Sequence, residues 1–200
     1  MMSPPSRDDL RRQLRAERQA LPLRERERLA RLVARQVIAS PMFRSSHHIA
    51  AYIPCRGEVD PTPILHEARQ RGKRIYLPVL SRLHARRMWF VEWTPKTRFV
   101  NNRFGIPEPR GTRNGRGHTH IARLDLVLTP LVAFDRHGHR IGMGGGYYDT
   151  SFAQLNHRLA WRKPRLLGLA YAFQEAGQIE HHPWDVHLDA IATEKQLIVP

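Results

Sequence analysis

Cysteine is almost absent: Cys55 stands alone in 200 residues. One thiol excludes an intramolecular disulfide framework and a multi-thiolate metal centre, and it suits a reducing compartment. Lysine is scarce too. Lys73, Lys96, Lys163 and Lys195 are the four, so arginine supplies most of the 33 basic charges. Acidic residues number only 18, leaving a net charge of +15. No apolar run approaches the roughly 20 residues of a membrane span. The opening MMSPPSRDDLRRQL also lacks the apolar stretch of a secretory signal. A soluble, cytoplasmic protein without a membrane partner is expected.

The basic excess attracts anions, polyphosphate and polyglutamate ligands among them. It is spread from Arg7 to Arg165 rather than gathered in a block, and no RRM, KH or zinc-finger pattern accompanies it. A dedicated nucleic-acid partner is therefore not expected, although salt-sensitive nonspecific RNA binding remains an alternative. The length suits a single domain spanning residues 1–200, with helices in 1–40 packed on an α/β core in 47–200.

Ser6, Asp8 and Asp9 mark a helix start, Leu10 and Leu14 share one face, and Pro22 closes the segment. Leu29, Leu32, Val33 and Val37 predict a second helix ending before Ser40-Pro41. From Ile49 short strands and helices alternate. IAAYIP, RIYLPV, MWFVEW, LDLVLTP, RLLGLAY and QLIV read as strands, PILHEARQRG as a helix, and SFAQLNHRL as a helix after Tyr148. That order predicts an open three-layer α/β sheet with helices on both faces and an N-terminal helical pair. Residues 94–120 form a long Gly/Pro/Arg/Asn-rich connection.

The most informative stretch is LDLVLTPLVAFDRHGHRIGMGGGYYDT. A buried-strand pattern passes through a turn into Gly142, Gly144, Gly145 and Gly146, then Tyr147, Tyr148 and Asp149. Glycines let consecutive backbone amides face an anion, and a following helix adds its positive end. A carboxylate directly after such a loop can hold the magnesium that accompanies a nucleotide triphosphate. An ordinary turn is the competing reading, since GMGGG matches neither GxxxxGK[ST] nor a clean GxGxxG.

Glu58 and Asp60 lie just beyond a strand end, where open α/β sheets bind ligands. Asp60 or Thr62 can equally cap the next helix, and the two roles are compatible. Asp185 and Asp189 either join Asp149 in an acidic corner or are surface acids before a strand. The twelve histidines include His47-His48, His118/His120, His137/His139 and His181-His182, without HExxH. A structural or catalytic zinc is therefore not expected. No GxSxG elbow is present, and Cys55 has no placed base that would make it a nucleophile.

Seven ordered blocks, RDDLR, AYIPCRGEVDPTPI, GKRIYLPV, FGIPEP, LDLVLTPLVAFDRHGHRIGMGGGYYD, LGLAYAFQ and DVHLDAIATE, resemble the 5-formyltetrahydrofolate cyclo-ligases from Arg7 to Ile198. The resemblance implies the fold of sugar-phosphate isomerase and CoA-transferase-like proteins (NagB/RpiA/CoA transferase-like). It implies ATP- and Mg²⁺-dependent cyclisation of 5-formyltetrahydrofolate, polyglutamylated or not, by a monomer. By motif, Arg7, Arg11, Arg140, Ile141, Gly142, Met143, Gly144, Gly145, Gly146, Tyr147 and Tyr148 would bind ATP. Cys55, Glu58, Asp60 and Tyr148 would face the folate. Asp149 and Asp189 would place Mg²⁺, and Arg140, Tyr148 and Asp149 would serve catalysis. Two departures stand out: arginine replaces the family's usual lysine at Arg7, and Leu131 stands where a glycine commonly precedes VAFD. A different ATP-dependent kinase or ligase on a related fold would share the Gly loop but not the GEVD block.

Overall fold

The computed structural model describes residues 6–81, 84–110, 118–157 and 163–200. Extended Ser6 accepts a hydrogen bond from the Asp9 amide at 3.2 Å, starting helix α1 (Arg7–Ala20) with Asp8 and Asp9 in its first turn. Leu14 and Arg18 are its buried positions. Helix α2 (Leu23–Ala39) buries Leu29, Ala30, Val33, Ala34 and Val37. Leu32, expected on that face, is only partly buried. The helical period centres the stripe on Val33 and Val37 and leaves Leu32 beyond its edge. Ser40 then caps the short α3 (Pro41–Ser45), accepting from the Phe43 amide at 3.1 Å.

The strands are β1 (His48–Ala50), β2 (Arg74–Leu80), β3 (Met88–Glu92), β4 (Phe99–Asn101), β5 (Pro107–Pro109) and β6 (His118–Thr119). They continue as β7 (Leu126–Pro130), β8 (Ala133–Phe134), β9 (Arg140–Ile141), β10 (Arg165–Leu169), β11 (Ala190–Ala192) and β12 (Leu197–Ile198). Helices α4 (Thr62–Gln70) and α5 (Tyr147–Phe152) complete the regular elements. One sheet has the order β12-β11-β10-β7-β1-β2-β3-β6. Its centre, β11 through β2, is parallel, with β12 and β3 antiparallel beside it.

Strand alternation sorts the side chains. Ile49, Leu126, Leu128, Leu167, Leu169, Ala190 and Ala192 meet α2 and α4, whereas Ala50, Val127, Leu166, Ala170 and Ile191 point to the other side. Each buried Leu, Ile or Val contributes about 1.5–3 kcal/mol relative to exposure. The second side is closed by Phe152 of α5, by Phe134 and Leu131, and by Val186 and Leu188. Helical cover is thus present on both sides but unequal. The expected helix after Tyr148 begins at Tyr147 and stops at Phe152; a 3-10 turn over Ala153–His157 follows. Its last expected turn lies outside the described residues.

Two other expectations are refined. The IAAYIP strand pairs only through His48–Ala50, plus the Ala51 amide on Tyr76 O at 2.9 Å. Beyond it the Tyr52 hydroxyl donates to Val59 O at 2.5 Å and Pro54 offers no donor, so the chain leaves the ladder. The long connection contains the β4–β5 ribbon and β6, with residues 111–117 outside the described set. Leu14 of α1 packs on Val132, Ala133, Ile141 and Ile179, docking the first helix onto the β8–β9 hairpin. No described helix is long and apolar enough to cross a membrane.

Candidate functional site

The Gly loop leaves the β8–β9 hairpin rather than a strand of the main sheet. Gly144 and Gly146 have φ of +89° and +65°, conformations that Cβ-bearing residues disfavour. Gly146 occupies the N-cap of α5 without a side-chain cap, and its carbonyl accepts from Thr150 N at 2.9 Å. Among the described residues, the backbone amides of Gly142 to Gly146 donate no hydrogen bond to the protein. Such a run of unsatisfied donors suits an anion. Helix α1 lies against it: Arg11 Nε donates to Gly142 O at 2.9 Å, and the same guanidinium pairs with Asp8.

Behind the loop is a half-buried ion pair. Arg140, 6% exposed, donates from Nη2 to Asp149 Oδ1 at 2.6 Å and from Nη1 to Val186 O. The Val186 amide returns a bond to Asp149 Oδ1 at 3.2 Å, so the PWDVHLD segment does come back to α5. Asp149 Oδ2 has no hydrogen-bond partner among the described residues, and its side chain stays 28% exposed. Arg7 Nη1 reaches Glu180 O at 2.7 Å and Asp185 Oδ2 at 2.8 Å. Burial opposes ionisation of Asp185, but the His182 amide and Arg7 outweigh it and hold the carboxyl below its usual range. Asp189 stands apart from Asp149 in its bonding: its Oδ2 accepts from Leu166 N at 2.7 Å, tying the start of β11 to β10.

The GEVD turn closes on itself. Glu58, 9% exposed, accepts from Cys55 N at 3.0 Å. Burial raises the Glu58 carboxyl above its normal range, against the pull of the Cys55 amide and of Arg18. Burial and Glu58 together push the Cys55 thiol up to about 11. Asp60 is exposed and its Oδ1 accepts from Thr62 N at 2.9 Å, so the capping role is realised while the side chain stays accessible. With Leu23, Arg26 and Arg56 these residues line an open pocket of about 250 Å³. Tyr148 belongs to both halves. It packs on Phe152, with ring centroids 6.1 Å apart, and desolvation, then Glu58, raise its phenol. Tyr147 meets Phe104 edge-on at 5.9 Å and accepts from Arg103, bringing the FGIPEP segment to the loop.

One residue that holds the candidate site together is not legible as such in the sequence. Arg18, 1% exposed, donates to Arg56 O at 3.2 Å and Leu131 O at 2.9 Å, and approaches Met143 Sδ at 3.9 Å. It braces the GEVD turn, the end of β7 and the Gly loop at once. The usable signal was its spacing, since Arg18 follows Leu10 and Leu14 at four-residue steps on the apolar face. Leu131, in place of the glycine, supplies one of the carbonyls Arg18 needs.

The chain that carries these two linked features, an amide-lined loop and an acidic turn, is similar over nearly its whole length to known proteins. The model of the 5-formyltetrahydrofolate cyclo-ligase family matches residues 4–194. The chain is 33% identical over 180 residues to a 5-formyltetrahydrofolate cyclo-ligase of Escherichia coli K12, covering 90% of this chain and 96% of that protein. A Haemophilus influenzae protein of the same name is 30% identical over 189 residues, covering 94% and 97%. The NMR structure of Aquifex aeolicus 5,10-methenyltetrahydrofolate synthetase superposes with a TM-score of 0.77 at 30% identity, covering 96% of this chain and 92% of that one. With the motif blocks, the fold and nearly the full length in agreement, the chain belongs to the 5-formyltetrahydrofolate cyclo-ligase family.

Proposed function

We propose that this protein uses ATP to close 5-formyltetrahydrofolate into 5,10-methenyltetrahydrofolate, releasing ADP and phosphate. The observation that carries the reading is the run of amides from Gly142 to Gly146 that donate to none of the described residues, flanked by Arg11 and joined through Tyr148 to the GEVD turn. A formyl oxygen is a poor leaving group. Its attack on the γ-phosphorus expels ADP and gives an iminium phosphate. N10 then bonds to the formyl carbon, the C–O bond breaks, and phosphate departs as N10 loses its proton. The protein's work is positioning and charge neutralisation.

In this reading the loop amides and Arg11 hold the triphosphate, with charge-assisted bonds worth about 1.5–3 kcal/mol each. Arg7 joins them by exchanging Asp185 for phosphate. Glu58 and Asp60 accept from pterin N–H groups, and Tyr148 walls the folate from the nucleotide. Arg26 and Arg56 at the pocket rim suit a glutamate or polyglutamate tail. The free Oδ2 of Asp149 fits a hard cation, with Asp189 as the second carboxylate after its bond to Leu166 N loosens. Mg²⁺ held there would screen the phosphate charge. Kinship with the sugar-phosphate isomerase and CoA-transferase-like folds, a single functional domain, a monomeric state and a cytoplasmic location belong to the same proposal.

Ultraviolet absorbance of purified protein with 5-formyltetrahydrofolate and Mg²⁺, with and without ATP, tests the reaction. Growth of the methenyl band only with ATP is expected, and a flat trace from folded protein overturns it. Asp149→Asn should abolish turnover while leaving the circular dichroism unchanged; wild-type turnover would remove Asp149 from the cation's site.

A further inference from the structure

Three imidazoles from two segments of the chain converge beside the β8–β9 hairpin. His139 and His181 stack with ring centroids 4.5 Å apart and an 8° interplanar angle. His187 stands edge-on to both, at 4.6 Å from His139 and 5.8 Å from His181. One ring nitrogen from each residue lies within 4.8 Å of the other two. Among the described residues this is the one group of three or more His, Cys, Asp or Glu side chains close enough to share an ion.

The cluster has a built support. Asp135, 0% exposed, accepts from the amides of His137 at 2.9 Å, His139 at 3.0 Å and Ile179 at 3.1 Å. Its Oδ2 also lies 2.8 Å from His139 Nδ1. Three amide donors converge on this carboxyl, which marks it as an acceptor toward the ring as well. Nδ1 of His139 must therefore donate, and a neutral His139 presents the Nε2 lone pair. A buried carboxylate that fixes one ligand's tautomer is the usual outer partner of a metal-bound imidazole.

We infer that His139, His181 and His187 form a three-imidazole site for a divalent transition metal of the Zn²⁺ class, with water completing a tetrahedron. Bonds of about 2.0–2.1 Å in that geometry bring the nitrogens to roughly 3.4 Å from one another. His181 and His187 are exposed, so rotation of their side chains can close the gap onto half-buried His139. The site is separate from the Gly loop and chemically unlike an oxygen-ligated Mg²⁺ position. Its two sides are functionally placed. His139 precedes Arg140, while the 181–187 segment carries Asp185, which holds Arg7, and Val186, which holds Arg140. A bound ion would clasp these together.

The test is calorimetric titration of the full chain with ZnCl₂, alongside visible absorbance with Co²⁺ as a spectroscopic substitute. Wild type should bind one equivalent tightly and show tetrahedral Co²⁺ bands. The double variant His181→Ala/His187→Ala should bind roughly 100-fold more weakly and lose the bands, since two of three ligands are gone. Both positions are exposed, and circular dichroism checks that the fold is kept. A His47→Ala/His48→Ala control should retain the bound equivalent. Unchanged affinity in the His181/His187 variant, loss of the equivalent in the control, or no wild-type binding below millimolar Zn²⁺ would overturn the site.

Discussion

Arg18 is a charge in a dry place, justified by what it holds. Its guanidinium satisfies two carbonyls from distant segments and lies close enough to Glu58 to stabilise that carboxylate. Arg18→Met should cost roughly 3 kcal/mol, because hydrogen bonds from a charged donor are worth about 1.5–3 kcal/mol each and the carbonyls stay buried. Urea unfolding measures this. Adding Glu58→Gln should recover part of the loss, and strict additivity would show that the two groups do not interact. Glu58 also carries a pH signature. Its folded pKa is raised above the ordinary 4.5, so the protonated form favours folding, and stability falls as pH rises from there through the folded value. Glu58→Gln should remove that loss above pH 4.5 while weakening folate binding. Cys55, pushed up to about 11, stays a thiol at pH 7.5. Its alkylation by iodoacetamide should be roughly 100-fold slower than that of an unperturbed cysteine; equal rates would contradict its assigned surroundings.

At the scale of elements, the site is a meeting of α1 with two turns. Gly57 has φ +78°, and a Cβ there would lie 2.8 Å from the Arg18 carbonyl oxygen, which is backbone and cannot swing aside. Gly57→Ala should therefore push the GEVD turn off α1, costing about 1–3 kcal/mol for the strained conformation and contact. Thermal unfolding reads the stability, and the folate KM should rise more than kcat falls. An unshifted melting temperature would show that the turn and helix are not locked together. The element boundaries explain which motifs were legible. Gly loop residues announce themselves because few residues adopt their backbone angles, and the Asp8–Asp9 helix start is a local electrostatic pattern. The β8–β9 hairpin was hidden, since its two-residue strands are too short for any periodicity to register.

For the whole molecule, the +15 charge makes anions welcome and acid hostile. Asp125, Asp135 and Asp185 are each held below the ordinary 3.8 although burial acts the other way. Lys163 and the His47 and His48 amides do this for Asp125, His139 and the Ile179 amide for Asp135, and the His182 amide and Arg7 for Asp185. A carboxyl with a lowered folded pKa contributes stability above its unfolded value and loses it as pH falls through the folded one. Urea midpoints should therefore drop steeply below about pH 4, with self-repulsion of the basic chain adding to the loss. A flat profile down to pH 3 would show that these three carboxyls are not coupled to folding.

By itself the sequence determined the alternation of strands and helices, the Gly loop, the GEVD turn and the family blocks, because each is written in local backbone preference or in contiguous order. Tertiary structure alone decided that Arg18 is buried, that Arg140 pairs with Asp149, and that His139 meets His181 and His187. Those contacts join residues up to 125 positions apart. No pattern along a chain specifies which distant carbonyl will need a donor, since that is settled only when the sheet brings its strand ends together.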